Sequence, residues 1–266
     1  MTHARPSRPA SLRRLVAASL LIWCAAAAAQ TDEIQVYDAS IADKGTFNLT
    51  LHNNYTVHGS TEPSFPGGLA PDHRLSGVSE WAYGLADWFE AGLYLPIYSA
   101  ASGDFAFQGF KIRSLFVVPH ADDRRFVYGV NLEFSYNGEH WDEQRSTSEI
   151  RPIFGWHLGK FDLIFNPILD NSYKGAGKLE FVPATRFAYN VSSKWAVAVE
   201  EYADYGPLED FYPPDEQSHQ LFAVFDYSNG GISLEGGIGF GLTSATDDLA
   251  VKFIFSRDLR LGRGRR

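Results

Sequence analysis

The sequence predicts an all-β fold: an antiparallel transmembrane β-barrel of about twelve strands, with short periplasmic turns and long extracellular loops. Apolar and polar residues alternate with a period of two over most of the chain, and the 3.6-residue period of an amphipathic helix is nearly absent. The connections between the alternating stretches are also short and long in alternation, which is typical of an outer-membrane barrel and is not expected of a soluble sandwich. After Ala29 no apolar run approaches the roughly 18 residues that a spanning helix needs.

Residues 1–29 have the pattern of a secretory signal peptide, which we expect to be cleaved after Ala29. Four arginines precede the apolar run LVAASLLIWCAAAAA, and small residues stand at Ala27 and Ala29. This run is shorter than the ~20 residues of a membrane anchor. The single cysteine, Cys24, lies within it, so the mature chain is expected to form no disulfide. Residues 30–45 are predicted to form an N-terminal periplasmic segment.

The charge balance of the mature chain argues against nucleic acid as a partner. Without the four arginines of the leader, 19 of the 23 basic residues remain against 32 acidic ones, so the net charge is −13. A chain of this sign repels a phosphate backbone.

The barrel is predicted to span residues 46–256, followed by a basic C-terminal tail over residues 257–266. The predicted strands are residues 47–57, 75–85, 89–97, 108–118, 126–136, 149–158, 161–169, 180–189, 195–203, 220–227, 232–242 and 249–255. Each has an apolar face for lipid and a more polar face for the lumen. The apolar faces contain, in order, Phe47 and Leu51; Trp81 and Tyr83; Phe89, Leu93 and Ile97; Phe110 and Ile112; Phe126 and Phe134; Ile150 and Phe154; Phe161 and Leu163; Phe187 and Tyr189; Val197 and Val199; Leu221 and Phe225; Ile232 and Ile238; and Val251 and Phe253. Prolines at Pro96, Pro152, Pro167 and Pro183 cannot donate to the ladder and are expected to disturb it.

The connections between these strands predict which end of the barrel is which. Tight connections are expected near Asp87, at 119–125, 159–160, 191–194 and 228–231, and long ones at 58–74, 137–148, 170–178 and 204–219. An aromatic girdle is predicted beside the tight connections, formed by Trp81, Trp88, Trp156, Tyr189, Trp195 and Tyr227. The tight connections are therefore assigned to the periplasmic end.

One hairpin carries a resemblance to a known family. The stretch EWAYGLADWFEAGLYLP (Glu80–Pro96), a Y-G-L-x-D-W turn between two strands, resembles the hairpins of the outer-membrane proteins of the "MetA-pathway of phenol degradation" family. The resemblance covers most of the mature chain as a strand pattern, and it implies an outer-membrane transporter of undefined substrate. Such barrels usually end on an aromatic residue that the assembly machinery recognises, whereas Phe255 here is followed by SRDLRLGRGRR.

Charged residues on the polar faces are predicted to line the lumen and to act on solutes through their field. The predicted set is Lys111, Arg113, Glu133, Glu149, Arg151, Asp162, Glu180, Arg186, Glu200, Asp226, Glu235 and Lys252. Because acids outnumber bases in this set and the long loops add further acids, a weak preference for cations is expected. Twelve strands should leave an open passage, and a lumen closed by loops or by paired charges is the alternative.

No stretch has a convincing catalytic or metal-binding pattern. YSNGG (Tyr227–Gly231) resembles the serine–asparagine–glycine stretch of outer-membrane phospholipases, but Asp226 stands where those have a histidine, so we interpret it as a hairpin turn. The histidines show no metal-binding spacing, and no Gly-rich phosphate loop occurs. We expect no enzymatic activity, no cofactor and no metal.

The sequence thus predicts a protein of the Gram-negative cell outer membrane that forms a passive channel or transporter for small solutes. A non-conducting structural or adhesive outer-membrane barrel is the alternative. The expected partners are outer-membrane lipid, a small-molecule solute and, during biogenesis, the barrel-assembly machinery.

Overall fold

The structure, a computed structural model, describes residues 33–259. The predicted signal peptide and the end of the basic tail lie outside the described residues. The strands, in chain order, are β1 (Phe47–His58), β2 (Arg74–Ala86), β3 (Phe89–Ala101), β4 (Asp104–Val117), β5 (Phe126–Asn137), β6 (Ser146–Leu158), β7 (Phe161–Asn166), β8 (Leu169–Asn171), β9 (Glu180–Phe181), β10 (Ala184–Asn190), β11 (Trp195–Asp204), β12 (Ser218–Asn229), β13 (Ile232–Gly241) and β14 (Leu249–Leu259). Short 3-10 turns occur at Ala121–Asp123 and Ala176–Lys178. Within residues 33–259 no helix has the length and apolar character needed to cross a membrane.

The strands close into one antiparallel barrel, which confirms the predicted fold class. Their order around the wall is β5, β4, β3, β2, β1, β14, β13, β12, β11, β10, β7 and β6, and β6 pairs back onto β5. β8 continues the line of β7 beside β6, and β9 continues that of β10, so twelve strands span the wall. Both interruptions contain a proline, Pro167 or Pro183, which has no N–H for the ladder.

Several strand ends differ from the prediction, and the largest extensions are at the β3–β4 connection and at the end of β14. β3 and β4 continue past residues 97 and 108 and meet in a tight turn at Ser102 and Gly103, so this extracellular connection is a hairpin. β14 continues to Leu259, which pairs with Phe47 at the start of β1. The last strand extends beyond residue 256 because the barrel closes only where β14 matches the whole length of β1.

The prediction was wrong about the face of one residue in β3. Ile97 was assigned to the lipid face with Leu93, but it is fully buried inside the barrel. The pairing of β3 with β4 shifts register between Tyr94 and Ile97, around Pro96. A bulge of this kind adds a residue to one strand, and every side chain beyond it changes face.

The apolar face of the barrel is its outer surface. In β5, Leu132 and Phe134 are 41% and 37% exposed, whereas Glu133 between them is 5% exposed. β4 repeats the pattern, with Ile112 exposed and Arg113 buried. A soluble protein would bury the apolar residues and expose the charged ones, so this inversion means that the surrounding solvent is lipid.

Aromatic side chains ring the periplasmic end of this outer surface. Trp195 contacts Tyr227 with 4.8 Å between ring centres, and Phe126 contacts Trp156 at 5.3 Å. Trp81 is an exception to the predicted girdle, because it lies nearer the middle of β2 and donates its indole N–H to the Leu95 carbonyl oxygen at 3.0 Å. The girdle marks the level of one membrane interface.

Candidate functional site: the barrel lumen

The lumen contains two cavities, and most of the predicted lumen-lining residues face one of them. A cavity of about 510 Å³ at the periplasmic end is lined by Arg113, Asp162, Arg186, Asp226 and Glu235 of that set. A cavity of about 370 Å³ at the extracellular end is lined by Lys111, Glu133, Glu149, Arg151 and Glu180. Glu200 and Lys252 line neither, because both are buried among their ion-pair partners.

Glu200 and Lys252 belong to a network of paired charges on β10 to β14. Lys252 contacts Glu200 and lies 2.5 Å from Glu235. Arg186 contacts Glu200 and Asp226, and its guanidinium lies 3.8 Å from Glu235. Buried charges need partners of this kind to offset the loss of hydration. This part of the wall therefore resembles the salt-bridged interior that the sequence left as the alternative.

A second network, on β1 to β4, contains acids that were not in the predicted set. Arg113 contacts both Glu80 and Glu90, and His52 lies 3.2 Å from Glu80. Glu80 and Glu90 are 5% and 3% exposed. Glu90 follows the lipid-facing Phe89, and Glu80 precedes the lipid-facing Trp81. The alternation therefore places both acids on the lumen side, and applying it to every charged residue would have added them to the predicted lumen-lining set.

A row of four carboxylates crosses four adjacent strands in the extracellular cavity. Glu133 is directly opposite Glu149, Glu149 opposite Asp170, and Asp170 opposite Glu180. Like charges in directly opposed positions repel one another. We call this row, Glu133, Glu149, Asp170 and Glu180, the acidic ladder.

Basic side chains balance only one end of the acidic ladder. Lys111 lies 3.8 Å from Glu133, and Arg151 forms a two-pronged pair with Glu149 at 2.7 and 3.0 Å. Within residues 33–259, no ion pair or hydrogen bond was found for the carboxylates of Asp170 and Glu180. The whole cavity is lined by eight acidic side chains and three basic ones, so acidic groups predominate in it.

The N-terminal segment, residues 33–45, lies inside the barrel and separates the two cavities. It was predicted to be periplasmic, and that prediction was wrong. Ile34 packs on the β10–β12 side of the lumen and Val36 on the β7–β10 side, while Tyr37 packs in a cluster with Leu115 of β4 and Ile153 of β6. Apolar and polar residues do not alternate regularly in this segment. The strand pattern therefore could not predict that it lies inside the barrel.

Hydrogen bonds attach the N-terminal segment to several strands. The Asn166 side chain accepts from the Tyr37 backbone N–H at 2.8 Å and donates to the Tyr37 carbonyl oxygen at 2.9 Å. The Tyr37 hydroxyl lies 2.5 Å from that of Tyr94. The Ala42 N–H donates to Glu90 at 2.6 Å, and Arg151 donates to the Gln35 carbonyl oxygen at 3.0 Å. The segment is thus held along its length and obstructs the lumen.

The segment leaves the lumen beside Gly84, near the periplasmic end. Lys44 forms an isolated bridge with Gly84, and a Cβ added at Gly84 would lie 2.2 Å from the Ala42 carbonyl oxygen. Only glycine leaves room for a backbone at this distance. A glycine at this position of β2 is therefore required for the path that the segment takes.

The YSNGG stretch is a hairpin turn, as predicted. Asn229 pairs with Ile232, which leaves Gly230 and Gly231 as a two-residue connection between β12 and β13. Both glycines have positive φ, 64° and 77°, as the favoured two-residue hairpin turn requires. The serine of this stretch, Ser228, therefore lies in β12 beside a periplasmic turn, where it pairs with Ser233.

Comparison with known proteins supports the architecture. No protein-family model matches the chain, and no curated protein matches it. The chain is similar to the solved structure of the COG4313 outer membrane channel from Pseudomonas putida F1, with 12% identity and a TM-score of 0.56, over 85% of this chain and 100% of that one. LpxR from Salmonella typhimurium aligns with 7% identity and a TM-score of 0.44 over 79% of this chain and 99% of that one. OccK11 (OpdR) from Pseudomonas aeruginosa aligns with 10% identity and a TM-score of 0.38 over 80% and 66%.

Identities this low show at most a shared fold and not a shared activity. Only the Pseudomonas putida channel, with its TM-score of 0.56, is similar enough to show the shared fold. The resemblance to the "MetA-pathway of phenol degradation" family stays a prediction. A closed antiparallel barrel whose outer face is apolar is the architecture of outer-membrane proteins. The predicted location in the cell outer membrane is therefore confirmed.

Proposed function

We propose that the protein is a passive outer-membrane channel for small solutes, with a weak preference for cations, that conducts when the N-terminal segment leaves the lumen. The observation that carries the proposal is the arrangement of the lumen. Two polar cavities lie inside the barrel, and the N-terminal segment borders both of them, with residues 33–35 at one and residues 35–42 at the other. A cavity on each side of the N-terminal segment is not expected of an interior that is only a packed core.

The charge of both cavities supports the cation preference. Carboxylates outnumber basic side chains in each, by eight to three at the extracellular end and by seven to three at the periplasmic end. A negative cavity with low-dielectric walls raises the local concentration of cations. The similar Pseudomonas putida structure is described as an outer membrane channel, which agrees with the proposal at the level of fold.

A non-conducting barrel is the second candidate, and the contacts of the N-terminal segment favour it. Tyr37 alone is held by Asn166, by Tyr94 and by the guanidinium of Arg151, which lies 4.5 Å from its ring centre. If these contacts never break, the barrel is permanently closed and its role is structural or adhesive.

Planar-bilayer recording of a variant that lacks residues 33–41 distinguishes the two candidates. This deletion keeps Ala42 and the exit beside Gly84. We expect the wild-type protein to show rare or small current steps and the deletion variant to show larger, long-lived ones. Asp38→Asn is the matched control, because Asp38 is an exposed residue of the same segment and its substitution should leave the wild-type behaviour unchanged.

Heat-modifiable migration on a gel shows whether the deletion variant still forms a barrel. A folded variant without current would refute the channel proposal and leave the non-conducting barrel. Wild-type currents as large as those of the deletion variant would instead show that the N-terminal segment does not obstruct conduction.

A further inference from the structure

Three potential metal ligands meet at the extracellular end of the barrel. His58 is the last residue of β1, and Asp72 and His73 directly precede β2, so the loop between these strands begins and ends at this cluster. The residues are too far apart in the sequence to form a recognisable motif. The structure brings them together because β1 and β2 are antiparallel neighbours.

The geometry of the cluster fits a metal ion. One ligand atom from each of the three residues lies within 4.8 Å of the others. Nε2 of His73 is 3.7 Å from Oδ2 of Asp72, and the two imidazole rings are 5.7 Å apart between centres. Zinc bonds of about 2.0–2.1 Å in a tetrahedron place ligand atoms about 3.3 Å apart. Small side-chain rotations of His58 and His73 are enough to reach that spacing.

The hydrogen bonding of Asp72 leaves its Oδ2 atom available to bind a metal ion. Oδ1 of Asp72 accepts a hydrogen bond from the Gly59 backbone N–H at 3.1 Å, while Oδ2 points toward His73. An outer hydrogen bond of this kind orients a ligating carboxylate. A second carboxylate, Asp247, accepts from the Ser60 N–H at 3.2 Å and adds negative charge beside the loop ends.

We propose that His58, Asp72 and His73 bind a divalent transition-metal ion, with zinc as the reference ion. Two imidazole nitrogens and one carboxylate oxygen form a donor set that suits zinc, nickel or copper, whereas calcium and magnesium require oxygen ligands. Three protein ligands leave the fourth position of a tetrahedron to water. The bound ion joins the two ends of the 59–73 loop, which lies at the mouth of the barrel. This site is independent of whether the barrel conducts.

Isothermal titration calorimetry with zinc chloride tests the site, using the mature chain in detergent with any affinity tag removed. We expect one zinc ion per chain, and a loss of affinity of at least about 10-fold in His58→Ala and in His73→Ala. Asp72→Asn should also weaken binding, although its amide oxygen can still accept from Gly59. His120→Ala is the control, since His120 is exposed at the opposite end of the barrel and its loss should leave zinc affinity unchanged.

Substitution with cobalt provides a second readout that does not depend on affinity alone. A tetrahedral site with two imidazoles gives intense visible absorption with cobalt, and this absorption should disappear in His58→Ala. Heat-modifiable migration confirms that each variant is folded. Zinc binding that is equally tight in His58→Ala and His73→Ala, or no binding by the wild type, would overturn the proposal.

Discussion

Lys252 shows how single residues make a charged barrel wall possible. It is 3% exposed, and its ammonium contacts Glu200, Glu235 and the carbonyl oxygen of Ile34, which lies 3.2 Å away. Two of these partners are on other strands and one is in the N-terminal segment. A buried ammonium is stable only when such partners replace its water. Lys252 therefore links the wall to the segment that obstructs the lumen.

Replacing this residue should destabilise the barrel. In Lys252→Met the ammonium is lost, so the buried carboxylate of Glu235 loses its nearest basic partner and that of Glu200 keeps only Arg186. We expect the free energy of unfolding to fall by about 3–5 kcal/mol, as for other broken buried pairs. The midpoint of urea unfolding in lipid vesicles measures this change.

The double variant Lys252→Met, Glu200→Gln should recover part of the loss, because it also removes one of the two carboxylates that Lys252 balances. Lys194→Met is the control, since Lys194 is exposed on a periplasmic turn. An unchanged unfolding midpoint in Lys252→Met would mean that this network contributes nothing to stability.

Strand β5 shows how the depth of a residue in the membrane sets the effect of a charged substitution on the free energy of folding. Its alternation places Leu132 near the middle of the strand and Phe134 nearer the extracellular end, both facing lipid. Glu133 between them is tolerated because it faces the lumen and lies 3.8 Å from Lys111. The same charge one position away would face hydrocarbon.

Arginine substitutions along β5 should therefore have graded effects. We expect Leu132→Arg to cost roughly 2–4 kcal/mol in the free energy of folding into lipid, and Phe134→Arg to cost less. The fraction of heat-modifiable, folded protein in vesicles at increasing urea concentration gives the comparison. Leu132→Val should behave like the wild type. An equal loss of folding free energy in Leu132→Arg and Phe134→Arg would contradict the assignment of Leu132 to the middle of the membrane and Phe134 to a shallower position.

At the scale of the whole molecule, the distribution of charge sets the selectivity that we propose. From the sequence, Glu133 and Glu200 were equally good candidates for the control of cation preference. The structure separates them, because Glu200 is fully buried between Lys252 and Arg186. Asp170 and Glu180 face the extracellular cavity instead. Their charge is the part of the wall that a passing ion would meet.

Neutralising these carboxylates should reduce cation preference. In the variant without residues 33–41, adding Asp170→Asn and Glu180→Gln should move the reversal potential in a salt gradient toward that of a non-selective channel. The difference should fade as salt rises toward 1 M, where the Debye length falls to about 3 Å. Glu200→Gln in the same background should move the reversal potential less, because the Glu200 carboxylate is paired with Lys252 and Arg186. A larger shift from Glu200→Gln than from the pair would show that Glu200 faces the conduction path.

Most strands of this protein, and the side of each that faces lipid, could be predicted from the amino-acid sequence alone. This was possible because side chains of a strand alternate between two solvents, lipid and the polar lumen, and that alternation is a local property. The pattern failed at Ile97, where the bulge around Pro96 reverses the faces, since a bulge depends on the neighbouring strand.

The occupant of the lumen, by contrast, could be identified only from the three-dimensional arrangement of the strands. The N-terminal segment has no period that reveals its position, and its place inside the barrel depends on Asn166, Tyr94 and Arg151, which come from three different strands. The acidic ladder and the cluster of His58, Asp72 and His73 arise in the same way. Such groups form across strands, where the register of pairing and not the order of residues brings side chains together.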